Sequence, residues 1–439
     1  MSPIPFLSKS RGTGNLISRI GTILSRFGIS ARKYEYLLRR FGEVTGELDC
    51  VPTFPITGVT LKRHPEVIRE LSRNGVEFAV HGYIHTDYGV LSLDSQVSHF
   101  KKAIQTFNDC RVPFSGFRAP FVRTNENTFR ALSSAGFNYD SSYVVHWDSL
   151  DRKNFSDYSW GEYTRVLEFY SSRRAEECPV LPMSVDGFIE IPVTMPDDEI
   201  MVERLGITDT ETISEIWEDI LVKTHNKGEL FTVQLHPERI LLFEEALANV
   251  INQARKLSPA VWIATLGEIA EWWKERENFS FGIESLDNGT YSVKADCSDR
   301  ATILVRNCKV NVPVDEWVDG YESVSNREFI VESQICPIIG VGEDAPSDAI
   351  DYLKQEGYIV ETGIAPDKCA IYFNDLKQID DTDKAWLSRE IEQSEAPLVR
   401  YWRWPERAGS ALSVSGDIDS ITLVDFALRI VENWRQNGK

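Results

Sequence analysis

Between residues 50 and 275 short apolar runs alternate with helical patterns, and this rhythm restricts the fold more than any other feature. Strand-like runs end near Thr57, His81, Arg118, Ser142, Val193, His236 and Thr265. Stretches such as Pro65 to Leu71, with Pro at the helix start and Gly75 beyond its end, fill most of the intervals. Repeated strand and helix units imply a parallel sheet, an α/β fold. Functional residue types at the carboxyl ends of successive strands suit a barrel, because the loops at that face converge on one place.

One run, Val76 to Val80, stops at His81-Gly82-Tyr83-Ile84-His85. A strand that bends into a helical turn there presents two imidazoles to one point, and imidazole nitrogen is the commonest protein ligand for zinc. A solvated loop pair is the plainer alternative. Two more strand ends carry Gly116-Phe117-Arg118-Ala119-Pro120-Phe121 and Phe231-Thr232-Val233-Gln234-Leu235-His236-Pro237. Far downstream, Ser410 to Gly416 reads as a strand running into Asp417-Ile418-Asp419, with a helix following from Ile421 to Trp434. His81, His85 and one of these two carboxylates would make a three-ligand catalytic metal site, the other carboxylate serving as base for amide hydrolysis.

The order H-x-x-x-H, R-x-P-aromatic and L-H-P, over roughly residues 50 to 275, resembles the NodB-homology polysaccharide deacetylases, carbohydrate esterase family 4. The resemblance implies a distorted (β/α) barrel and a metal-bound water attacking the carbonyl of an N-acetyl sugar. That family opens with an acidic T-F-D-D motif on its first strand, ahead of a second strand that here reads Val51 to Gly58. Residues 1 to 50 hold no such motif. They carry helical patterns instead, Leu16, Ile17, Ile20, Ile23, Leu24 and Phe27 and then Ser30 to about Val44. Because strand, acidic loop and helix recur at the C-terminus, the chain resembles a circularly permuted deacetylase, which is physically reasonable when termini lie together at a surface. A truncated second copy, or strand exchange with a second subunit, are the alternatives.

By this resemblance Asp417 is the base and Asp419 the third metal ligand, although the intervening Ile418 departs from the family's adjacent pair. Arg118 fixes the base by a charged hydrogen bond. Phe121 stands where the family usually has Tyr and contributes its backbone N–H to the oxyanion. His236 matches the general acid. Asp140, in Tyr139-Asp140-Ser141-Ser142, either orients that histidine or forms a turn.

The remaining features bound the answer. A chain of 439 residues is long enough for two or three domains, here read as a barrel over 1–278, a β-rich region over 279–335, a small α/β region over 336–407 and the permuted strand and helix over 408–439. The net charge of −20 argues against nucleic acid and anionic membrane surfaces as partners, and the basic stretch at 25–40 reads as a solvated helix face. Seven scattered cysteines read as thiols of a reducing compartment, and Met1 to Leu7 leads into polar residues rather than a secretory core, so a cytoplasmic protein without an integral membrane segment is expected. Gly340-x-Gly342 is a weak nucleotide signal, since Glu343-Asp344 would repel a phosphate. Trp272-Trp273 and Tyr401 to Pro405 read as packing, His64, His99, His146 and His225 as non-ligands, and Pro196-Asp197-Asp198-Glu199 as a solvated loop, with cleft lining as its alternative. The expected protein is a hydrolase with one divalent ion, zinc by its donors, acting on an N-acylated amino sugar, and a possible homo-oligomer. An amidohydrolase on a small cyclic amide and a catalytically silent sugar-binding module are the alternatives.

Overall fold

The computed structural model describes residues 28–437 apart from 287, 288 and 375, and side chains to residue 434 of the last helix. The helical pattern at Leu16 to Phe27 therefore lies outside the described residues. The pattern expected from Ser30 is a helix over Arg32–Glu47, whose Leu37, Leu38 and Phe41 are buried against the barrel.

The main sheet is curled and parallel except at its edge, where Met183–Val185 pairs antiparallel with Phe188–Glu190. β1 (Thr53–Ile56), β2 (Glu77–Val80), β3 (Gly116–Phe117) and β4 (Tyr139–Asp140) pair in that order. They are short and almost wholly buried, as strands covered on both faces must be. β4 pairs onward with Phe188–Glu190, and the neighbouring strand Val144–His146 pairs with Val193–Met195. Val193–Met195 lies against Leu230–Gln234, where the Thr232 N–H donates to Thr194 Oγ1. The sheet thereby curls round as a distorted (β/α) barrel.

One place in the curl is filled from the far end of the chain. Strand Ser410–Ser415 runs parallel to Leu230–Gln234 in register, Leu230 opposite Ala411 through Gln234 opposite Ser415. Its other edge meets Val261–Ile263 over the first half and β1 at Ser415. The pairing with β1 then continues into the acidic loop, where Gly416 and Ile418 donate backbone N–H groups to Thr53 and Pro55. All six strand residues are buried, and Leu412 and Val414 join the main core.

Two antiparallel sheets form the β-rich region, one of Ser280–Ser285, Thr290–Asp296, Glu328–Glu332 and Lys309–Val310, the other of Val314–Glu316, Tyr321–Val324, Ile303–Arg306 and Leu398–Tyr401. Leu398–Tyr401, expected in the α/β region, thus completes the β-rich unit. Val399 faces the core shared with Val293, Val305 and Val331, while Arg400 on the opposite face is buried against Tyr358, Glu356 and Glu392. The α/β unit keeps a three-stranded parallel sheet of Val360–Thr362, Ile339–Val341 and Ile371–Phe373. Its Gly340 has a packing cause: a Cβ there would meet Cys369 Sγ at 2.6 Å. The tryptophans are core as read. Trp272 donates to Arg403 O and Trp404 to Gly228 O, each at 2.8 Å, so they pin the segment leading to Ser410 onto the barrel.

Candidate metal and acid–base site

Seven of the eight candidate residues meet at the carboxyl ends of these strands. β2 ends at His81, whose Nδ1 lies 2.9 Å from Arg118 O. A carbonyl can only accept, so Nδ1 carries the proton and the Nε2 lone pair faces inward. Gly82, at φ +76°, turns the chain there, and four residues on His85 packs its ring edge on Phe121 at 4.4 Å. Asp419 Oδ1 lies 3.4 Å from His81 Nε2 and 3.2 Å from His85 Nε2. His81 Nε2 and Asp419 Oδ1 are buried without a hydrogen-bond partner. Buried orphan acceptors facing each other are costly, and a divalent cation among two imidazoles and a carboxylate satisfies them. Burial, aided by Arg429, pushes the His85 imidazole down to about 4, the neutral form that a metal ligand requires. Burial acts to raise the Asp419 carboxyl, but His85 and Arg429 prevail and hold it well below the usual range.

Asp417 sits beside this group with both oxygens held. Arg118 Nη1 donates to Oδ1 and Gln234 Nε2 to Oδ2, each at 3.2 Å. The fully buried guanidinium is itself fixed by Ser141 O, Ser141 Oγ and Ser415 Oγ. Arg118 therefore ties the end of β3 to the ends of β4 and of Ser410–Ser415. His236 follows strand Leu230–Gln234 and faces the same cleft of about 400 Å³, lined also by Phe121, Met195, Tyr170 and Arg429.

Asp140 requires a correction: it does not orient His236. It accepts from Ser142 Oγ at 2.6 Å, and Ser142 Oγ in turn accepts the Ala119 N–H. Burial raises the Asp140 carboxyl to about 6 and lifts neighbouring Glu190 well above its ordinary value, so the pair retains a proton behind the Arg118–Phe121 loop. The residue on His236 is Asp198, assigned above to a solvated loop but fully buried. Its Oδ1 accepts the His236 backbone N–H at 3.0 Å and lies 2.8 Å from Nδ1, while Oδ2 pairs with Arg239 at 2.8 Å. Burial opposes charge on His236, but Asp198 prevails and holds the imidazolium well above the ordinary histidine value. In a second cluster, Asp197, Asp198 and His236, the Asp198 charge is met by His236 and Arg239, while Asp197 accepts the Ile200 N–H and is pushed up to about 7 by burial and by neighbouring Asp198. The signal missed was position: Pro196-Asp197-Asp198 directly follows strand Val193–Met195 on the chemical face of the barrel. Arg429 and Gln234, also missed, offered no motif.

Gly416 fixes how closely the strands approach at this place, since a Cβ would lie 2.1 Å from Leu235 O. Gly416→Ala is expected to cost about 1–3 kcal/mol through forced strand separation. A lower urea midpoint together with a lower metal content checks this, and an unchanged midpoint contradicts it.

Residues 40–139 match the polysaccharide deacetylase family model. A peptidoglycan deacetylase-like protein of Gibberella zeae is 25% identical over 236 residues, spanning 50% of this chain and 69% of that protein. Among solved structures, a Mycobacterium smegmatis protein assigned as a polysaccharide deacetylase superposes with a TM-score of 0.41 at 22% identity, covering 62% of this chain and 86% of its own. PuuE allantoinase gives a TM-score of 0.42 at 19% identity, covering 55% and 74%.

Proposed function

We propose that this protein is a metal-dependent N-deacetylase of an N-acylated amino sugar, built on a circularly permuted barrel whose first strand, acidic loop and helix are residues 408–439. The carrying observation is convergence: Asp417 and Asp419 lie against His81 and His85 although more than three hundred residues separate them in sequence. The family match supports an amide hydrolase acting on carbohydrate.

In this reading His81, His85 and Asp419 hold one divalent ion, zinc by the nature of the donors. When bound, the ion supplies a Lewis acid that polarises the scissile carbonyl and lowers the pKa of water. Asp417, steadied by Arg118 and Gln234, takes the proton of the attacking water. The Phe121 backbone N–H, on a residue lining the cleft at φ +61°, supports the oxyanion. His236, kept protonated by Asp198, gives its proton to the departing amine.

Purified protein is expected to carry about one equivalent of metal and to release acetate from N-acetylated chitooligosaccharides or peptidoglycan fragments. His81→Ala and His85→Ala are expected to lose both properties. Full metal occupancy in the double alanine variant would overturn the ligand set. Ring opening of a small cyclic amide, read as a new carboxylate on the product, with no acetate released from any amino sugar, would move the substrate to the amidohydrolase alternative.

A further inference from the structure

The two side-chain oxygens of Asp419 have different surroundings. Oδ1 is buried, accepts no hydrogen bond and lies near both His81 Nε2 and His85 Nε2, whereas Oδ2 accepts from Arg429 Nη1 at 2.6 Å. The main chain here is held by other groups: Asp419 O accepts from Thr60 Oγ1 at 3.0 Å, and the Ile418 N–H donates to Pro55 O at 2.8 Å. Fixing the main chain leaves the carboxylate a broad choice of rotation about its last bond. The charged hydrogen bond from Arg429 makes that choice, turning Oδ1 toward the imidazoles.

Arg429 belongs to the C-terminal helix, Leu423–Asn437, and the seating of that helix sets its reach. Asp425, Arg429 and Asn433 recur every four residues and so share one face. Asp425 caps the helix start by accepting the Thr422 N–H at 2.9 Å, and it docks the helix through His64 Nε2 at 2.8 Å. One turn on, Arg429 meets Asp419, its guanidinium lying 5.4 Å from the Phe426 ring centroid. A further turn on, Asn433 Nδ2 donates to His85 O at 2.6 Å. One helix face therefore braces the loops of two candidate metal ligands, and at Asp419 it does so through a group that stays charged and can only donate.

We propose that Arg429 is a positioning residue of the metal site: by claiming Oδ2 it makes Asp419 a one-oxygen ligand and so keeps a coordination position open for water and substrate. Carboxylates bind cations through one oxygen or through both, and a hydrolytic site depends on the open position that a second oxygen would fill. The inference rests on the ligand set of His81, His85 and Asp419 proposed above.

The test is the visible absorption of the full chain loaded with Co2+, an ion that enters zinc sites and whose bands weaken as donors are added. The parent chain is expected to show the intense bands of tetrahedral ligation. Arg429→Met is expected to weaken them by about twofold or more as Oδ2 joins the ion, and to slow acetate release by about tenfold or more with Co2+ still fully bound. Val431→Asp, on the exposed side of the same helix, is expected to keep the parent spectrum. Weak bands in the parent chain overturn the proposal whether or not Arg429→Met folds. Unchanged bands in folded Arg429→Met overturn it too, as do bands weakened equally by Val431→Asp. A parent chain that takes up no Co2+ overturns the ligand set itself, and this inference with it.

Discussion

Deleting residues 408–439 is expected to leave a protein that aggregates, holds no metal and releases no acetate. Leu412, Val414, Ile418 and Ile421 are each fully buried. At about 1.5–3 kcal/mol for each buried apolar side chain, their loss removes on the order of 6–12 kcal/mol, comparable with the whole net stability of an ordinary domain. The deletion also frees the backbone groups of Leu230–Gln234 that pair along Ala411–Ser415, creating an edge inside a parallel sheet. Asp417, Asp419 and Arg429 leave with it. The informative control moves the segment rather than removing it. Gly28 already pairs with Thr422, so joining 408–439 ahead of residue 1 through a flexible linker is expected to restore a soluble, metal-loaded protein. Light scattering and metal analysis read both results. A soluble, active truncated chain would show that the C-terminal acids serve something else.

How far the sequence carried this reading depended on whether a residue acts through its own strand or through a neighbour's. The strand ends were legible because apolar runs, Pro-started helices and turn glycines repeat with the period of strand and helix units. His81, His85, Arg118, Asp417, Asp419 and His236 stand at such ends, and all six meet in the cleft region. What resisted was partnership across the barrel. Asp140 and Asp198 both follow strands, and nothing local says which carboxylate faces His236; the curl of the sheet decides it, placing Val193–Met195 beside Leu230–Gln234. The membership of Leu398–Tyr401 was hidden for the same reason, since its partner Ile303–Arg306 lies nearly a hundred residues earlier.

Asp417→Asn and His236→Ala are each expected to lower kcat/KM by about two to four orders of magnitude with the metal retained, because positioned proton transfer contributes that much. Asp419→Asn is expected instead to lose the metal. Metal loss with Asp417→Asn and its retention with Asp419→Asn would exchange the two roles. Asp198 provides the finer test, because its effect on His236 has a sign. The imidazolium is held above the ordinary value of about 6.5. As general acid it must be protonated, so activity is expected to fall as pH rises through this raised value. Asp198→Asn removes the charge that holds the proton and leaves the burial that opposes it, so the alkaline limb should move to lower pH. Stability follows the same linkage. A raised folded-state pKa contributes stability fully below the unfolded value and loses it as pH rises through the folded one, so the variant's deficit should be largest in acid and shrink in base. Rate profiles and urea midpoints across that range measure both. An alkaline limb unmoved by Asp198→Asn would show that His236 is not the group whose proton the departing amine receives.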